Sequence, residues 1–216
     1  TLVSLMYGNN ETGTIHDVQA ISKICKEHNS YFHCDAVQMV GKYAINVQEL
    51  QPSFLSATAH KFHGPKGSAV LYMNGSNIVQ PFIYGGSQER NMRAGTENVA
   101  GIVGFAEALK IAHAEMDIRR ETVSAIKKEF ETRVINEIPD VKINGADGDK
   151  SMYHISSISF PASPYADMLM MNLDIAGIAA SSGSACSAGI EEDSHVLTAI
   201  GHDKNRKTIR FSFSYM

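Results

Sequence analysis

Ser56-Ala57-Thr58-Ala59-His60-Lys61-Phe62-His63-Gly64-Pro65-Lys66-Gly67 closes a short apolar run, Phe54 to Thr58, on a cluster of hydroxyl, imidazole and ammonium groups, and its small residues keep the backbone open. The run before the cluster has the length and residue types of a buried strand, and Ala69 to Met73 after it reads the same way, ending in the turn-rich Asn74-Gly75-Ser76-Asn77. Upstream, Tyr31 to Cys34 is a third short apolar run, and Leu2-Val3-Ser4-Leu5-Met6 a fourth. Between these last two, Val18, Ile21, Ile24 and Cys25 recur at helical spacing and predict a helix from about Asp17 to Glu27. Strands interleaved with helices predict an α/β layer with a largely parallel sheet. Such sheets bind ligands at the carboxyl ends of their strands, which is where the polar cluster falls.

The second half of the chain has another texture. Gly85 to Asn98 is Gly-rich, polar and charged, as a functional loop is. Val99, Ile102, Val103, Ala106, Leu109, Ala112 and Met116 then repeat at helical spacing, with no proline out to about Arg133. That predicts one long amphipathic helix bridging to a second domain. Beyond Pro139 come short strands (Ile155 to Phe160, Ile178 to Ala180, Ile209 to Phe213) and helices near Ala166 to Leu173 and Ser194 to Ile200, the pattern of a smaller α+β domain. The expected boundary divides residues 1–98 from residues 99–216.

The 216 residues are 44% hydrophobic and 19% charged, with a formal net charge of -4, which excludes disordered, fibrous and membrane-embedded classes. No Lys/Arg-rich face points to nucleic acid, no run approaches the ~20 apolar residues of a membrane span, and no charged-then-apolar leader opens the chain. Cys25, Cys34 and Cys186 are odd in number and widely spaced, so a reducing compartment, the cytoplasm, is expected. Both ends have the look of cuts: the chain starts at Thr1 in a strand and stops in alternating residues at Met216, as a piece of a longer protein does.

Four groups of residues carry chemistry. Lys61 at a strand end suits Schiff-base chemistry, because burial frees a lysine amine; a solvated lysine in a polar loop reads the same residues. His60 and His63 have the spacing of two metal ligands, but without a third ligand at any usual spacing no metal is expected. In Phe32-His33-Cys34-Asp35-Ala36-Val37-Gln38, Asp35 ends an apolar strand, where a carboxylate wants a cation such as a pyridinium nitrogen. Capping of the next helix explains Asp35 equally well. Cys34 and Cys25 read as small core residues. Cys186, inside Ala180-Ser181-Ser182-Gly183-Ser184-Ala185-Cys186-Ser187-Ala188-Gly189, reads as an exposed thiol nucleophile, with an incidental cysteine in a Gly/Ser linker as the other reading. Arg210, within the strand Thr208-Ile209-Arg210-Phe211-Ser212, suits a bidentate grip on a carboxylate or phosphate, or a structural salt bridge.

Taken together, these motifs resemble the pyridoxal phosphate (PLP)-dependent cysteine desulfurases of NifS/IscS type, within the class V aminotransferase fold. The resemblance runs from end to end through Asn9-Asn10-Glu11-Thr12-Gly13, His33 to Gln38, Thr58 to Lys61 with Gly64 to Gly67, Gly85-Gly86-Ser87-Gln88-Glu89-Arg90 continuing to Arg93-Ala94-Gly95-Thr96, and Ser181 to Cys186. The short Ser-Gly-Ser-Ala-Cys loop is similar to the first of the family's two groups, the one that feeds iron–sulfur assembly. The implied fold is the fold type I PLP-dependent transferase: part of a large α/β domain with a mostly parallel sheet, plus a small α+β domain. The resemblance implies that Lys61 holds PLP through its amine and moves the substrate's α-proton. It further implies Asp35 on the pyridine nitrogen, Gln38 on the ring oxygen, Thr58 and His60 on the phosphate, and Asn10 on the ring oxygen or the substrate carboxylate side. Thr96 would reach the phosphate of a partner subunit, hence a homodimer, and Arg210 would clamp the carboxylate of L-cysteine. Cys186 would take the sulfur as a persulfide and hand it to an iron–sulfur scaffold or another acceptor protein.

The family's N-terminal half also carries a Gly/Thr-type phosphate loop and a histidine that stacks on PLP, and neither has a match in this sequence. Family members likewise continue past the position of Met216. The 216 residues alone are therefore expected to bind PLP poorly and to show little desulfurase activity. Two other readings share the local chemistry: a selenocysteine lyase, or a desulfurase serving thiolation of tRNA or a cofactor. A third is a non-catalytic scaffold that docks sulfur-transfer partners, against which the intact set Lys61, Asp35, Cys186 and Arg210 speaks.

Overall fold

Apolar residues that alternate along four short segments set the first sheet. In the computed structural model, which describes residues 1–75, 79–182 and 194–215, strands β1 (Leu2–Met6), β2 (Tyr31–Asp35), β3 (Phe54–Thr58) and β4 (Ala69–Met73) lie side by side in that order. β1, β2 and β3 run parallel and β4 antiparallel. Part of the turn expected at Asn74–Asn77 falls outside the described residues.

The alternation sends successive side chains of β2 to opposite faces. Phe32 and Cys34 are buried in one core with Val18, Cys25, Ala36, Leu50 and Leu55, while His33 and Asp35 occupy the other face. Helix α1 (Val18–Glu27) covers the core face and starts where Asp17 accepts the amide of Ala20. Its buried residues are Val18, Ser22 and Cys25, with Ile21 packed beside them; Ile24, expected on the same face, is exposed because it sits a third of a turn away. A one-turn helix, α2 (Val47–Leu50), capped by Asn46, leads into β3.

After β4, the short turn α3 (Gln88–Asn91) precedes helix α4 (Val99–Ala114), and α5 (Met116–Glu137) follows. The single long helix expected here is thus two, divided at Glu115, whose backbone leaves helical geometry at φ -103 and ψ 9. No residue near Glu115 forbids a helix; packing decides the break. Ala112 on α4 buries with Ala59 and Phe62, whereas Val123 and Lys127 of α5 are buried in the second unit. Val99, Ile102 and Val103, expected on a core face, are exposed in this chain.

The chain divides into two compact units, Thr1–Gly8 with His16–Met116, and Asn9–Ile15 with Asp117–Met216. The second unit carries an antiparallel sheet of β5 (Lys142–Ile143), β6 (Ile155–Phe160), β8 (Lys207–Ser212) and β7 (Ser181–Ser182), in that spatial order. Helices α6 (Leu169–Ile175) and α7 (His195–Ala199) complete it, the latter capped by Ser194. The strand expected at Ile178–Ala180 forms at Ser181–Ser182 instead, where pairing with β8 satisfies the backbone. Ile158, Ile209 and Phe211 form this unit's core, with the ring of Phe130 of α5 tilted against that of Phe211, their centroids 4.8 Å apart. Lys127 is buried, its ammonium 2.8 Å from both Ser151 Oγ and the Met152 carbonyl, which ties α5 to the turn before β6.

Candidate active site

In the first unit, the parallel strands β2 and β3 end side by side, with Asp35 and Ser56 in register. β2 delivers Asp35, half-buried, whose Oδ1 accepts the Val37 amide at 3.0 Å as the chain turns away from the sheet. Gln38, half-buried, follows in that turn. β3 delivers Thr58, and a single turn of 3-10 helix, Ala59–Phe62, carries His60 and Lys61. Thr58 Oγ1 lies 3.0 Å from His60 Nδ1 and 3.2 Å from the Ser68 carbonyl, so hydroxyl and imidazole form one polar pair at the strand end.

The turn is made possible by close contacts that only glycine allows. A Cβ on Gly64 would stand 2.7 Å from the Ala59 Cβ, so Gly64 lets the loop fold back on the strand end. His63 adopts the left-handed conformation, φ 69, and its amide donates to the Ala59 carbonyl, as does the Gly64 amide at 2.9 Å. Gly41, φ 77, lies against Phe62, where a Cβ would be 2.6 Å from the Phe62 Cβ. Gly41→Ala is expected to destabilise the fold by about 1–3 kcal/mol, the usual cost of an overpacked contact, read as a lowered urea midpoint at unchanged slope.

Lys61 is exposed, as is His60. The burial expected to free the Lys61 amine is therefore not supplied by the described residues: the buried positions of the 3-10 turn are Ala59 and Phe62. Thr96 is exposed as well, in the segment leading to α4.

On the face of the sheet that carries Asp35, His33 bridges its neighbours: Nδ1 is 2.7 Å from Ser4 Oγ and Nε2 is 2.7 Å from Ser56 Oγ. Nothing in the sequence pattern singled out this three-strand link, since the serines are distant in the chain and meet His33 only through strand pairing. The thiol of Cys34, on the opposite face, is fully buried. Burial, reinforced by the Asp35 carboxylate, pushes this thiol up to about 12. An unfolded thiol ionises from about pH 9, while the folded one stays neutral until about 12, so Cys34 makes stability fall as pH rises through that window. Iodoacetamide at pH 8 is expected to spare Cys34 in the native chain and to alkylate it once denaturant is added, as peptide mapping would read.

In the second unit, Asn9 Oδ1 accepts the amides of Glu11 and Thr12, each at 2.9 Å, and so builds a tight turn around Asn10. The Asn10 carbonyl accepts Arg210 Nη1 at 2.9 Å. Among the described residues Arg210 Nε is buried without a hydrogen-bond partner, and burial lowers the guanidinium pKa from its ordinary value while the Glu11 carboxylate opposes that shift. An orphaned guanidinium N–H is a donor in want of an anion. Glu11 is buried and accepts Ser194 Oγ at 2.5 Å, a role the sequence did not reveal because the two residues meet only in the fold. Cys186 lies outside the described residues. The described chain resumes at its flanks: Ser181 is the register partner of Arg210, and Ser194 is held by Glu11.

The donor set fits PLP by its chemistry. The strand ends of the first unit gather a carboxylate for a pyridinium nitrogen (Asp35), a hydroxyl–imidazole pair for a phosphate (Thr58, His60) and an amine for an aldehyde (Lys61). Among the described residues no three His, Cys, Asp or Glu side chains converge to hold a metal ion. Among the same residues, no helix is long and apolar enough to cross a membrane.

The chain is 46% identical over 199 residues to a cysteine desulfurase IscS of Dictyoglomus turgidum, covering 92% of this chain and 50% of that protein. It is 41% identical over 214 residues to a cysteine desulfurase IscS of Clostridium botulinum, covering 98% of this chain and 54% of the relative. The crystal structure of a NifS-like protein from Rickettsia africae superposes with a TM-score of 0.86 at 31% identity, covering 99% of this chain and 56% of that one. The chain thus spans about half the length of the curated relatives it matches. The profile of the aminotransferase class-V family matches residues 1–216 throughout, and with a parallel sheet that ends in the lysine, carboxylate and phosphate-type donors the chain belongs to that family.

Proposed function

We propose that the protein carrying these residues is a PLP-dependent cysteine desulfurase. L-Cysteine and the Cys186 thiol are converted to L-alanine and a Cys186 persulfide. The carbon–sulfur bond of the substrate breaks, a sulfur–sulfur bond forms on Cys186, and the carbon left behind is protonated to a methyl group. Atoms and electrons balance without an external oxidant. When bound, PLP supplies the electron sink that lets negative charge develop on the substrate carbon. The observation that carries the reading is the convergence of Asp35, the Thr58–His60 pair and Lys61 at the ends of adjacent parallel strands.

In this reading each side chain has one task. Lys61 holds the cofactor and moves the α-proton; Asp35 keeps the pyridine nitrogen charged; Gln38 donates to the ring oxygen; Thr58 and His60 bind the phosphate. Arg210 grips the substrate carboxylate, a reading supported by its Nε, which has no partner among the described residues, and Asn10, whose carbonyl accepts Arg210 Nη1, lies beside it. Thr96, exposed in this chain, serves the phosphate of a second copy, so the working form is a homodimer. The persulfide passes to an iron–sulfur scaffold or another acceptor protein, in the cytoplasm, where free thiols such as Cys25 and Cys34 persist.

The test is a visible absorption spectrum after PLP is added, followed by borohydride trapping and peptide mapping. A band that is lost on reduction, with the label on Lys61, is the expected result. A label spread over exposed lysines would overturn the assignment. Alanine release from cysteine, with sulfur bound to Cys186 by mass spectrometry, completes the test.

A further inference from the structure

Two neighbouring points fasten the loop after β2 to the turn after β3. Gly41 packs on Phe62 at the distance given above, and the next residue, Lys42, sends its ammonium to the main-chain carbonyl of Lys61 at 2.6 Å. Lys42 is half-buried. Burial, joined by the charge of Lys61, pushes its ammonium down to about 8. Ordering a long side chain and desolvating its charge both oppose folding, and an apolar residue of similar length would fill the same space without the second cost. What the ammonium adds is direction: it fixes the carbonyl of Lys61 inside a turn whose next residues, Phe62 and His63, are themselves held by Gly41 and Ala59.

We infer that Lys42 is a positioning residue for Lys61: by clamping the Lys61 carbonyl it sets the direction in which that amine leaves the strand end. The inference rests on the proposed cofactor role of Lys61. It also couples the two cofactor loops, since Lys42 follows the Asp35–Gln38 turn in sequence and holds the Lys61 turn in space.

The test compares Lys42→Met, which removes the donor, with Lys42→Arg, which keeps a cationic one, in the whole protein that carries these 216 residues. Without cofactor, amide exchange at Phe62–Gly64 is expected to speed up about tenfold in Lys42→Met, the scale of one lost charge-assisted hydrogen bond, and to stay near wild type in Lys42→Arg. With PLP and borohydride, labelling of Lys61 is measured against Lys110, an exposed lysine on α4. That ratio is expected to fall about tenfold in Lys42→Met and to recover in Lys42→Arg, which a general loss of stability would not produce. Should Lys42→Met fail to fold, Lys42→Leu, shorter and likewise without a donor, serves for the same two readings. Unchanged exchange in the donorless variant overturns the clamp. Unchanged labelling with faster exchange overturns the positioning role while leaving the cofactor role of Lys61 intact. A wild-type whole protein with no preference for Lys61 overturns the cofactor assignment and the positioning role with it.

Discussion

Lys61→Ala is expected to abolish PLP labelling at this position and to lower desulfurase activity by at least about 10²–10⁴-fold, the contribution of proton transfer alone, with loss of the covalent anchor added to it. The fold is expected to survive. Lys61 is exposed, its backbone carbonyl still accepts Lys42 when the side chain is gone, and surface truncations of this kind stay within about 0.5 kcal/mol. Unfolding curves that coincide with wild type, beside a silent spectrum, would separate chemistry from stability. A label that moves to Lys42 or Lys66 with activity retained would assign the wrong lysine.

Cys186→Ser is expected to leave the label on Lys61 untouched and to stop sulfur transfer. A serine hydroxyl is almost fully protonated at neutral pH and has no thiolate to attack sulfur, so alanine release is expected to drop on the order of 10³-fold or more, as when other covalent nucleophiles are removed. Mass spectrometry of the variant after cysteine is added would show no bound sulfur. A variant that still makes alanine at the wild-type rate would give the nucleophile's role to another group. The two flanks of the Cys186 segment, Ser181 beside Arg210 and Ser194 on Glu11, are unchanged by the substitution, so a loss of activity reads on the thiol itself.

The two variants divide the proposed reaction at its natural joint. In the proposed reaction Lys61, in the first unit, serves the cofactor, and Cys186, in the second half of the chain, serves the sulfur. A spectrum reports on the first and a mass on the second: the label on Lys61 is expected to persist without Cys186, whereas sulfur on Cys186 requires Lys61. Cys34 completes the contrast among cysteines: it is held inert by burial and by Asp35, so sulfur found on it would be out of keeping with its environment.

Much of the fold was legible in the chain. The strands Leu2–Met6, Phe54–Thr58, Ala69–Met73 and Ile155–Phe160 form where apolar runs lie between turn residues, and helix α1 starts where Asp17 offers a cap. These elements depend on local pattern: alternation, capping and helical spacing act over a few residues. The types of group at the candidate site were legible for the same reason, since a lysine, an aspartate and a hydroxyl–imidazole pair each end or follow such a strand.

What the tertiary structure alone decided are the relations between distant residues. The break at Glu115 follows from two cores that claim the two ends of one helical pattern, and sequence periodicity carries no record of which core a face will meet. His33 between Ser4 and Ser56, Glu11 under Ser194, and Lys42 on the Lys61 carbonyl all join residues far apart in the chain. Local preferences choose the elements and the kinds of side chain they carry. Only packing, which satisfies buried polar groups across the whole molecule at once, chooses their partners.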